Sequence, residues 1–309
     1  MSVLPADDVI SLARGVPSPD MLPLGRLAEC ARLGVERHGR VALNYGAPGG
    51  FEPLRAWVAE RHGVAPERVL LTPGSMIALT LAVGELVGRD GAVAAEIPTY
   101  DRFLATAAHA GAAVVGVRRD ADGLDLDGLR ASVRGGGHRP SLLYVLPSFH
   151  NPTGRTLSVA QREALADTAL ELDLPVLEDD AYGLLRVEGD MPPTVAELLR
   201  AQGGDHLALF ASSFSKSVAP GLRVGYLVLP ERFAPRLAAA ALRTYVSPPL
   251  LPQAQLYEFL AGGHLEPHLV AARGFLRAGR DALIGVLAEE LPEGVGFTHP
   301  EGGYFLWLD

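Results

Sequence analysis

Between about Val69 and Val228, short apolar runs alternate with stretches whose apolar positions recur at helical spacing. Val69–Leu71, Ala92–Ile97, Ala113–Val117, Leu142–Leu146, Pro175–Leu177, Leu207–Ala211 and Val224–Leu229 read as strands, apolar almost throughout. Ser75–Val87, Tyr100–Ala110, Leu124–Val133 and Ser158–Leu172 read as amphipathic helices between them. Strands apolar on both faces and separated by helices predict an α/β fold, a mostly parallel sheet sandwiched by helices. Ligands of such sheets gather at the carboxyl ends of the strands, so the residues just after each run are the place to look for chemistry.

The flanks differ from this centre. Residues 1–44 read as an extended arm and a helix at about Pro23–His38, and residues 45–247 as a large domain. Residues 248–309 read as a smaller α+β domain. It has a long helix from about Pro267 to Glu290 and two apolar segments, Val295–Thr298 and Tyr304–Leu308, expected as strands.

Composition narrows the function classes. Apolar residues make up 48% of the 309, enough for a sizeable core and too many for a disordered chain. With 27 Lys+Arg against 36 Asp+Glu the net charge is -9, which gives no footprint for nucleic acid or an anionic membrane. No apolar run reaches the roughly 18 residues of a membrane span, and MSVLPADDVISLARG lacks the basic and apolar regions of a signal peptide. Cys30 is the only cysteine, which excludes an internal disulfide and a Cys-based metal cluster and suits a reducing cytoplasm. Lysine also occurs once, at Lys216, so arginine meets every other need for a cation. A sole Lys is an accident of composition or a mark of chemistry closed to a guanidinium, which stays protonated.

Five strand ends carry candidate groups. In Leu209–Gly225 a strand feeds a loop with Ser212, Ser213, Ser215 and Lys216, then Arg223, a plausible phosphate site beside a nucleophile. In Leu177–Tyr182 three acids follow a buried strand; one of them can keep a ring nitrogen protonated, or simply cap a helix. Asn151-Pro152 is a turn signal in which Asn151 can donate to an oxyanion. In Leu70–Ala78, Gly74 turns the chain and Ser75 is a candidate cap for a helix whose free N–H groups suit a phosphate. Tyr100, in EIPTY, can stack on a flat ring or fill the core. Together these describe a pocket for a phosphorylated, aromatic, carbonyl-bearing cofactor, and pyridoxal 5'-phosphate fits each part.

The ordered set YGAPGGFEPLR, TPGSM, EIPTY, NPTG, EDDAY and SFSKSVAPGLRVG resembles the class I/II aminotransferases of pyridoxal-phosphate fold type I. It resembles in particular the branch of 2-aminoadipate and aromatic aminotransferases and the aminotransferase half of MocR-type regulators. Six motifs match in order and spacing, and the likeness runs from about Ser11 to Asp309. The resemblance implies transfer of an amino group between an amino acid and a 2-oxo acid. It implies that Lys216 holds the cofactor as a Schiff base and shuttles the α-proton, with Asp179 on the ring nitrogen. Tyr182 and Asn151 would bond the phenolic oxygen, and Tyr100 would stack on the ring. Gly74, Ser75, Met76, Ser213 and Arg223, with Ser215 beside them, would hold the phosphate. Gly15 and Asn151 would face the substrate. Tyr45 would reach the phosphate of the partner subunit, which implies a homodimer.

Three departures accompany the resemblance. Met76 stands where the family often has a polar residue. His150 replaces a common Gln before NPTG and is expected to tune substrate choice. The family's carboxylate-binding Arg falls beyond Asp309. The resemblance thus implies an incomplete small domain, and a chain that binds the cofactor but transaminates poorly unless Arg14 substitutes. Another reaction on the same fold (β-lyase, decarboxylase, racemase) and a non-catalytic regulatory dimer stand as the alternatives.

Overall fold

The computed structural model describes Leu12 and residues 15–120, 123–135 and 137–309. Among them one sheet holds β1 (Val69–Thr72), β2 (Ala92–Ile97), β3 (Ala113–Asp120), β4 (Gly123–Leu124), β5 (Leu142–Val145), β6 (Val176–Asp180), β7 (Ala208–Ser213) and β8 (Gly225–Val228). The spatial order is β1-β8-β7-β6-β5-β2-β3-β4. From β3 through β2, β5 and β6 to β7 every pairing is parallel. β8 lies antiparallel between β7 and β1, and the short β4 folds back on β3. The reversal at β8 has a local cause. A parallel partner needs a crossover, usually a helix, whereas residues 214–224 carry only a 3-10 turn at Pro220–Leu222.

Two helical layers cover the sheet. On one face α3 (Ser75–Leu86), α4 (Asp101–Ala110) and α8 (Ala234–Tyr245) bury Leu79, Phe103 and Leu237 against Leu70, Val93, Tyr144 and Leu177. On the other, α2 (Glu52–Arg61), α5 (Leu126–Arg134), α6 (Val159–Leu172) and α7 (Val195–Ala201) bury Leu54, Leu129, Leu165 and Leu199. That second core continues into α1 (Leu24–Ala42), α9 (Leu250–Ala261) and α10 (Leu265–Glu290) through Cys30, Leu256 and Leu269. Capping boxes start two of the helices, α6 at the expected Ser158 and α7 in a stretch for which no helix is expected. Ser158 and Gln161 exchange side-chain and backbone bonds at the head of α6, and Thr194 and Glu197 do so at α7. None of the described helices is long and apolar enough to cross a membrane.

Two expectations need correction. Ser75 does not cap α3; it is the first helical residue, and Gly74 holds the cap position at φ 86° without a side-chain bond. Val295–Thr298 and Tyr304–Leu308 do not become strands and meet only at the isolated bridge Phe297↔Leu308. The Thr298 hydroxyl is the reason. It accepts from Trp307 N at 2.9 Å and donates to Thr153 O at 3.0 Å, fixing the hairpin to the loop after β5 instead of extending a ladder.

Candidate active site

Strand periodicity decides which side chains meet. Along β6, Leu177 belongs to the core of the α3/α4 face and Val176 to the opposite core, so Asp179 faces with Leu177 while Glu178 and Asp180 face the other way. Along β7 the same alternation puts Ser213 on the face of Leu209 and Ala211.

Asp179 is 4% exposed. Its Oδ2 accepts from the Tyr144 hydroxyl at 2.9 Å, and its Oδ1 is buried with no partner. Burial pushes the carboxyl up to about 7, against the pull of Tyr144 and with a small push from Asp180. The neighbours feel this group: burial, then the Asp179 charge, raises the hydroxyl pKa of Tyr100 and of Tyr182. Tyr182 is hydrogen-bonded to Asn151. Asp180, by contrast, is buried and accepts from Gly183 N at 2.6 Å, closing the turn that leads to Tyr182.

The anion cradle joins segments 150 positions apart. Gly74 turns at φ 86°, and a Cβ there would strike the Arg223 guanidinium. Arg223 Nη1 donates to Ser215 Oγ at 3.1 Å and Nη2 to Pro73 O at 3.4 Å. Ser213 Oγ lies 2.8 Å from Ser215 Oγ and accepts from Ser215 N at 3.0 Å. The N–H groups of Ser75 and Met76 open α3 and have no partner within the helix. A guanidinium, two hydroxyls and a helix N-terminus thus converge on one point, the donor set of a phosphate. The Met76 side chain packs against the core, so only its backbone can serve there.

Lys216 is half-buried beside this cradle. Burial, then the Arg223 charge, lowers the affinity of its amine for a proton. The amine donates to Gly15 O, and the Lys216 main-chain carbonyl accepts from the Tyr304 hydroxyl at 3.1 Å. Tyr182 meets the rings of Tyr304 and Phe305 at 6.0 and 5.7 Å.

Lys216, Asp179, Tyr182, Asn151, Tyr100, Ser213, Ser215, Arg223, Gly74 and Gly15 therefore gather at one end of the sheet. Tyr45 does not join them; it is 84% exposed in a groove with Leu43 and residues 247–252. His150 does not face the site either. Its ring is fully buried between Glu96 Oε2 and Thr153 Oγ1, each at 2.9 Å, and Glu96 is also held by Arg119 at 2.7 Å. Burial opposes charge on Glu96, yet Arg119 and His150 keep its carboxyl below the usual range. Arg14 lies outside the described residues. Tyr144, Tyr304 and Phe305 are the additions, and all three sit inside apolar runs that read as core.

The residues fit pyridoxal 5'-phosphate on structural grounds. The bare Asp179 Oδ1 suits a protonated ring nitrogen, and the cradle suits the phosphate. The family model for aminotransferase class I and II matches residues 7–309. The chain is 35% identical to a 2-aminoadipate transaminase of Thermus thermophilus over 97% of its own length and 75% of that protein. It is 30% identical to aromatic-amino-acid aminotransferase 1 of Thermococcus litoralis, covering 99% of itself and 75% of the relative. The crystal structure of the Thermus thermophilus α-aminoadipate aminotransferase, complexed with N-(5'-phosphopyridoxyl)-L-leucine, superposes at TM-score 0.90. That match covers 96% of this chain and 75% of that one. The chain belongs to the class I and II aminotransferases and is, like them, a pyridoxal 5'-phosphate-dependent enzyme of fold type I.

Proposed function

We propose that this chain moves the amino group of a 2-amino acid to a 2-oxo acid at the site built on Lys216 and Asp179. The observation that carries the reading is the buried, unpartnered Asp179 Oδ1 on the face shared with the anion cradle. Bound there, the cofactor supplies an electron sink that makes the substrate's α-proton removable. A cationic nitrogen opposite Oδ1 keeps Asp179 ionised, because opposite charge in a buried site favours the charged form. Gly74, Ser75, Met76, Ser213, Ser215 and Arg223 hold the phosphate. Asn151 and Tyr182, already bonded to each other, orient the phenolic oxygen, and Tyr100 covers the ring. Lys216 anchors the cofactor covalently and then carries the proton at the α-carbon; its lowered proton affinity supplies the neutral amine that this step needs. Gly15 lines the substrate side.

Purified protein reduced with borohydride should carry one pyridoxyl group on Lys216, read by peptide mass mapping. Label confined to the N-terminal amine rejects the assignment.

We further infer a homodimer, supported by the exposure of Tyr45 and of Leu43 in the same groove. Tyr45 then serves the partner's phosphate. Tyr45→Phe is expected to weaken cofactor retention by about 10- to 150-fold, the loss of one charge-assisted bond of roughly 1.5–3 kcal/mol. Sedimentation that finds a monomer with full cofactor occupancy overturns both statements. The lone buried Cys30 fits a cytoplasmic setting.

A further inference from the structure

The turn between the two arms of the C-terminal hairpin crosses the loop after β5 at very short range. A Cβ on Gly302 would lie 2.6 Å from Leu185 O and from Phe149 Cζ, and one on Gly303 would lie 2.6 Å from Phe149 Cβ. Gly303 also turns at φ 75°. Only a pair of glycines lets the chain pass here, and the passage delivers Tyr304 to the floor of the site. The Tyr304 hydroxyl donates to the Lys216 main-chain carbonyl at 3.1 Å, the Lys216 amine lies 6.0 Å from the centre of the Tyr304 ring, and that ring lies 6.0 Å from Tyr182.

We propose that Tyr304 is a positioning residue: its hydroxyl fixes the main chain of Lys216 and its ring sets where the amine stands. The inference rests on the assignment of Lys216 above. The two groups of Tyr304 act separately. The hydroxyl bond holds the backbone from which the lysine side chain projects. The ring presents its negative face to a cationic amine and favours the protonated form.

The test uses the full chain with pyridoxal 5'-phosphate as the probe, comparing Tyr304→Phe and Tyr304→Leu. The fraction of Lys216 fixed by borohydride is read against cofactor concentration, and because Lys216 is the only lysine, peptide mapping has only the N-terminal amine to separate from it. Tyr304→Phe should raise the half-saturating concentration by about two- to tenfold, the range for one lost neutral hydrogen bond. In the holoenzyme, the midpoint of the cofactor band in a pH titration should stay put in Tyr304→Phe. In Tyr304→Leu it should move down by the equivalent of about a two- to fivefold loss of proton affinity, because the ring that favoured the cation is gone. A merely structural tyrosine would lower the thermal midpoint and leave the pH midpoint of both variants at the parent value. That result overturns the proposal, as does parental saturation in Tyr304→Phe. If the parent chain itself carries no label on Lys216, the failure belongs to the assignment of Lys216. If Tyr304→Leu does not fold, Tyr304→Phe and the saturation curve still decide the role of the hydroxyl.

Discussion

Asp179→Asn is expected to make the cofactor-free protein more stable and the enzyme nearly inactive. The carboxyl is buried, has one bare oxygen, and titrates near 7 instead of 3.8, chiefly because burial disfavours its charge. Since the folded value lies above the unfolded one, the folded chain binds the extra proton between pH 4 and 7. Its stability therefore falls as the pH rises through that window. The rise is about three units, which sets an upper bound of about 4 kcal/mol for the cost of ionising Asp179 above pH 7. Asn removes the charge and keeps the shape. Urea unfolding of the cofactor-free variant should show a gain of about 1–4 kcal/mol at pH 8 that vanishes toward pH 4. Transamination should drop about 10²–10³-fold, as for removal of one preorganised electrostatic group from an active site. Asp180→Asn should differ chiefly in the rate. The amide oxygen of Asn can still accept from Gly183 N, and the carboxylate it replaces turns away from the site, so the variant should keep its fold and nearly all of its rate. A variant Asp179→Asn that is less stable at pH 8, or an Asp180→Asn that is the slower enzyme, reverses the assignment of the two acids.

Lys216→Arg is expected to be the most damaging single change to the chemistry. The guanidinium keeps a positive charge at the same place, so electrostatic attraction for the phosphate survives. It cannot lose its proton near neutrality, so it can neither form the covalent anchor nor act as a base. The proton-transfer role alone accounts for about 10²–10⁴ in rate. Lys216→Ala separates the two losses: added methylamine should restore part of its single-turnover rate, because a small amine can occupy the vacated space, and should do nothing for Lys216→Arg. Parental turnover in Lys216→Arg would remove this residue from the reaction.

The parts of the site that were legible in the sequence are those whose signal is local. Lys216 stands out as the sole lysine at a strand end, and Asp179 is singled out from its acidic neighbours by the D-x-x-Y spacing of the family that the chain resembles. Gly74 and Arg223 each sit in a short motif. What stayed hidden depends on register between distant strands. Tyr144 reads as core within LLYVL, and its bond to Asp179 needs β5 and β6 aligned with Tyr144 opposite Leu177. Tyr304 reads as strand within YFLWL, and its role needs the two glycines before it to slip past Phe149. His150 was legible as a departure but not in its direction. Only the fold reveals that Glu96, from β2, lies within reach of its ring.

The place of β8 in the sheet also bears on how the protein is made. Among the described strands β1 pairs with β8 alone, and the cradle closes only when Gly74 meets Arg223. The N-terminal half leaves the ribosome first, so β1 waits unpaired while β2, β3, β5, β6 and β7 emerge and zip together. Closure over so long a stretch of chain is entropically slow. An arrested nascent chain ending before Val228 would hold Asp179 and Lys216 yet lack the pairing that completes the phosphate cradle. Cofactor capture is on this account a late event in biogenesis, and a vitamin-starved cell would accumulate a sheet already assembled, with its buried acid still waiting for a cation.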